Sequence, residues 1–141
     1  MAMFKINLLM NQFQYEIDSY KRILNFFTEE NIKFKKRLSD FITVSGIDDN
    51  QFMEQVEYFH NYLLKEDEYI GFLQTELADQ ESLMTKSQEI DSVKEMLNTQ
   101  HRIRKELQFV EDDFHKLTFE LNNYMCTFFS SGMSSPNYHF M

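Results

Sequence analysis

Apolar residues in the first third of the chain return at every seventh position: Ile6, Phe13, Tyr20, Phe27, Phe34 and Phe41. A second series, Met10, Ile17, Leu24, Asn31 and Leu38, lies four residues after each of the first five. Spacing of this kind, in steps of three and four, marks a helix that buries one stripe in a heptad seam. The pattern predicts a first helix over about 3–43. It ends where β-branched Thr43 and Val44 run into Ser45-Gly46, a helix-stop signal. Asp48 is the expected cap of the second helix, with Gln51 three residues on and Ile47 and Phe52 placed as a hydrophobic staple.

The second helix, about 49–85, carries Val56, Leu63, Ile70, Leu77 and Met84 in one series and Phe52, Phe59, Glu66, Leu73 and Gln80 in the other. The stretch from Thr85 to Ser92 is polar and reads as a connection, with Ser87 or Ser92 as alternative starts for the third helix. That helix, about 88–129, has Met96, Ile103, Val110, Leu117 and Tyr124 in one series. Val93, Gln100, Leu107, Phe114, Leu121 and Phe128 form the other. Residues 1–130 are therefore expected to be one all-α domain, an elongated antiparallel up-down-up three-helix bundle with coiled-coil packing. Residues 131–141, which hold the proline and show no periodicity, read as a flexible tail.

Composition agrees with few, long helices, since 141 residues contain only three glycines and one proline. A net charge of −9 argues against nucleic acid as a partner, because phosphates would be repelled. One cysteine, Cys126, cannot form an internal disulfide, which fits a reducing cytoplasm. The N-terminal stretch lacks the features of a signal peptide. No apolar run is long enough for membrane insertion.

Laying the helices side by side from midpoints near residues 23, 67 and 109 puts Lys33–Arg37 level with Glu54 and Glu57, and His101–Lys105 level with Asp67, Glu68 and Glu76. The basic clusters thus read as flanking ion-pair partners that set register. The same layout brings Asn31 near His60, with Glu66 about a turn away. Asn31 and Glu66 are the polar core positions expected to specify register at some cost in stability.

Glu57-x-x-His60 has the spacing by which di-metal bundles hold their ions, and Glu111 with His115 echoes it. The core repeat sets these four residues on helix flanks. They form a site between helices 2 and 3 only if the bundle has the hand that joins those flanks. The leading expectation is no metal and no cofactor. No nucleotide-binding, hydrolase or zinc-protease motif occurs, and Cys126 has no activating neighbour, so an enzyme is not expected. Phe26, Phe72, Phe109 and Phe119 fall outside the seam and are the candidate interface. The function they suggest is protein–protein interaction, with self-association as a homodimer. A metal-binding bundle is the alternative.

Overall fold

A computed structural model describes residues 2–47, 49–86 and 90–130. Three α-helices pack against one another: α1, Ala2–Ser45; α2, Asn50–Lys86; and α3, Ile90–Ser130. Among the described residues there is no strand, and no helix is long and apolar enough to cross a membrane. The caps expected at Asp48 and Ser87, and the tail at 131–141, lie outside the described residues.

The end of α1 follows from local chemistry. Gly46 takes φ of +63°, where a side chain would be strained, and its N–H returns to the Ile42 carbonyl at 3.4 Å. Asp49 starts α2: its Oδ1 accepts from the Phe52 N–H at 2.8 Å, and its carbonyl accepts from Met53 at 3.0 Å. Asp49 thus caps the first turn of α2.

The expected seam is buried almost throughout. It runs from Met10 to Phe41 on α1, from Phe52 to Met84 on α2, and from Met96 to Phe128 on α3. Ile6, Tyr20, Val93 and Tyr124 are only partly buried, and the last is instructive. Near the end of α3, Met125 is buried, whereas Tyr124 is only partly so. A 3.6-residue turn drifts about 20° per heptad against a strict seven-residue repeat. The inward stripe has therefore moved by one residue there.

The end of α1 packs on the start of α2, with the Phe41 and Phe52 rings 5.7 Å apart. Moving back along α1, Asn31 and Lys35 meet Asp67, Asn25 meets Gln74, and Lys21 and Gln14 meet Glu81. This corrects the midpoint register. Lys35 pairs with Asp67, and Asn31 donates to the same carboxylate at 3.1 Å, instead of facing Glu54, Glu57 or His60. The 44-residue α1 is longer than the 37-residue α2, and a short loop aligns ends, not centres.

Candidate functional site

The four candidate metal ligands are placed in different surroundings. Glu57 and His60 are exposed on α2. His60 shares its heptad position with Asp67 and Glu81, whose partners, Lys35 and Lys21, are on α1. Glu111 and His115 line a cleft of about 470 Å³ with Ser19, Arg22, Ile23, Phe26 and Phe27, so they also turn to α1, from its other side. Heptad spacing places residues on a flank but cannot say which neighbour that flank meets. Here the hand of the three-helix arrangement separates the two pairs. Among the described residues no group of three or more His, Cys, Asp or Glu side chains is positioned to hold a metal ion.

The seam between α2 and α3 is built from other residues. Going up α2, Tyr58 donates to Glu120 at 3.1 Å, and Tyr62 donates to Asp113 at 2.7 Å. Glu66 comes next and is hydrogen-bonded to Asp113. Tyr69 then meets Phe109, with ring centroids 5.5 Å apart. Last, Glu76 pairs with Arg102, which also reaches Glu106 at 3.3 Å. Phenols and carboxylates therefore share one groove.

Glu66 is the outlier. Only 3% of it is exposed. Burial, reinforced by Asp113 and then by the charge of Asp67, pushes its carboxyl far above the usual range, so it holds a proton at neutral pH. The protonated acid then donates to Asp113, which also accepts from Tyr62. Burial, then Asp113 and the carboxyls of Glu120 and Glu66, push the Tyr62 phenol up. Glu106 is raised in a similar way, by burial and by Glu76, against the opposing pull of Arg102.

No family model, curated protein or solved structure matches this chain. What the site can do therefore rests on its own residues.

A second polar layer crosses the core. Gln80 donates to the Met96 carbonyl at 2.7 Å and to Gln100 Oε1 at 3.2 Å. Gln100 donates to Glu16 at 3.2 Å, and Arg104 grips the same carboxylate with two bonds of 2.8 and 2.6 Å. The sequence showed Gln80 and Gln100 only as polar residues in apolar series. Their layer, and the Glu16–Arg104 pair beside it, needed the register. Arg104 lies in the second basic cluster, expected to face α2, but it pairs with α1. Of that cluster, Arg102 does meet Glu76 as expected.

Burial raises Glu16, but hydrogen bonds from Arg104 and Gln100 and the guanidinium charge outweigh it, so its carboxyl is held below the usual range. Its contribution to stability is therefore present above the ordinary glutamate range and is lost as the pH falls through the depressed value. Arg104→Leu is expected to lower the unfolding free energy by about 1–3 kcal/mol at pH 7, the range for losing the partner of a partly buried charge. Urea unfolding at pH 7 and pH 4 checks this: the gap should shrink in acid, where Glu16 takes up a proton.

Of the candidate interface, Phe109 and Phe119 line cavities of the α2–α3 groove, Phe109 beside Tyr69 and Phe119 beside Tyr58 and Glu120. Phe72 repeats the heptad position of Tyr58 and Lys65, so it borders the same groove. Phe26 instead lies in the α1–α3 cleft with Glu111 and His115. Phe72 is 57% exposed, Phe109 55% and Phe119 67%.

Proposed function

We propose that this chain is a non-enzymatic interaction module. In this reading it is an antiparallel, up-down-up bundle with heptad packing that presents its α2–α3 face to protein partners, including a second copy of itself. The observation that carries the reading is the row of exposed rings on that face: Tyr58, Tyr69, Phe72, Phe109 and Phe119. Covering large apolar side chains is favourable by roughly 25 cal/mol per Å², and aromatic residues are the types enriched at interfaces.

The helix arrangement is supported by the order of cross-helix pairs. Partners of α1 on α2 run backwards from Phe52 to Glu81, whereas partners of α1 on α3 run forwards from Arg104 to Phe128. The exposed, unpaired Cys126 supports a reducing setting, and the cytoplasm is the proposed location.

Sedimentation equilibrium tests self-association. A dimer is expected at tens of micromolar, and the double variant Phe109→Ser/Phe119→Ser is expected to weaken it at least tenfold. A strictly monomeric parent protein over that range removes self-association from the proposal.

A further inference from the structure

On α2, Tyr58, Lys65, Phe72 and Asp79 repeat every seventh position, and on α3 Arg102, Phe109, Lys116 and Asn123 do the same. All eight are exposed along the α2–α3 face. The contacts Tyr62–Asp113, Tyr69–Phe109 and Glu76–Arg102 set the heights of the two rows against each other. Phe72 and Phe109 stand at one level. Lys65 and Lys116 lie about 10 Å from it toward the Phe52 end, and Asp79 and Arg102 about 10 Å the other way, at 1.5 Å per helical residue.

The charges at the two ends of this ring pair are of opposite kind. Among the described residues, Lys65, Lys116 and Asp79 form no ion pair. Arg102 is already held between Glu76 and Glu106, and the deeper Asp113 is bonded by Tyr62 and Glu66. A face with free lysines on one side of an exposed ring pair and carboxylates on the other is complementary to itself turned end for end.

We propose that two copies of this chain associate through the α2–α3 face as an antiparallel pair, an arrangement that rests on the self-association proposed above. The two-fold axis crosses the face at right angles to the helices, level with Phe72 and Phe109. Each α2 then lies on the α2 of the second copy and each α3 on its α3. Lys65 meets Asp79 of the second copy, twice by symmetry. Farther out on α3, exposed Asp112 and Lys105 lie on opposite sides of the axis and meet in the same way. Lys116 comes to the Glu76–Arg102–Glu106 group. With the axis along the helices instead, α2 lies on the α3 of the second copy and Lys65 meets Lys116 in both halves, a like-charge contact that disfavours this arrangement. The covered rings supply the association free energy, and the charges choose the orientation.

The test is sedimentation equilibrium of the full chain at low ionic strength with Lys65→Glu, Asp79→Lys and the double variant. Each single reversal sets like charges together twice and is expected to weaken the dimer about tenfold, whereas the double variant restores both pairs and the parent affinity. A second measurement reads orientation. With Cys126→Ser and a spin label on Glu54→Cys, the separation between labels in the dimer is expected to be about 50 Å, from the helical rise on either side of Phe72. A separation below about 30 Å means parallel copies. That result, or single reversals that leave the dimer unchanged, overturns the antiparallel pairing while self-association stands. A parent protein that stays monomeric at tens of micromolar overturns both.

Discussion

Replacing Glu66 with glutamine is expected to raise the unfolding free energy by about 1–3 kcal/mol at pH 8 and to flatten its dependence on pH. The surroundings of the carboxyl set the sign. In the native protein Glu66 keeps a proton that the unfolded chain releases near the ordinary value of 4.5. Between that value and the raised native value, about 9, the native state binds more protons than the unfolded state. Stability therefore falls as the pH rises through that window. Each pH unit between the two values corresponds to about 1.4 kcal/mol. The glutamine cannot ionise and still offers an N–H to Asp113, so the penalty disappears while the hydrogen bond is retained. Only part of it returns as stability, because a buried amide has its own desolvation cost. Chemical unfolding at pH 4.5, 6.5 and 8.5 measures this. Parallel pH profiles for parent and variant would show that Glu66 is not the group that titrates.

Phe41→Ala is expected to lower the unfolding free energy by about 3–5 kcal/mol, the range for removing a large buried aromatic side chain. Phe41 is 0% exposed and sits where all three helices meet, beside the α1–α2 loop. Its ring lies 5.7 Å from Phe52, 5.9 Å from Tyr124 and 5.2 Å from Phe128. Its removal leaves a cavity bounded by three other rings on two helices, which cannot collapse without moving the loop joint. Phe119→Ala, made on the solvent side of α3, is the control and is expected to change stability by no more than about 0.5 kcal/mol. Thermal or urea denaturation of the two variants compares them directly. A loss below about 1 kcal/mol for Phe41→Ala would mean that this end of the bundle is not closed as described.

The turn between α1 and α2 was legible in the sequence, and for a simple reason. Ser45-Gly46 and the aspartates near residue 49 are local signals, read within a turn of where they act. There α1 ends at Ser45 and α2 starts at Asn50. Charge pairing was less legible. Lys35 went to Asp67 and Arg104 to Glu16, because both depend on how far one helix has slid along another. That offset is set by the loop and by unequal helix lengths. Of the site, Glu66 was visible as a carboxylate in an apolar series. Its partners Asp113 and Tyr62 looked like ordinary flank residues.

By itself, then, the order of apolar and polar residues determined that this chain forms three long helices and which stripe of each is buried. Both are consequences of the 3.6-residue turn, a property of the local backbone. Only the tertiary structure decided which flanks meet. The hand of the three-helix arrangement sent His60 and His115 to different sides of α1, and brought Glu66 and Asp113 together between Tyr62 and the Tyr69–Phe109 pair. Periodicity leaves that hand open, because a helix stripe faces the core equally well with its neighbours in either order around it.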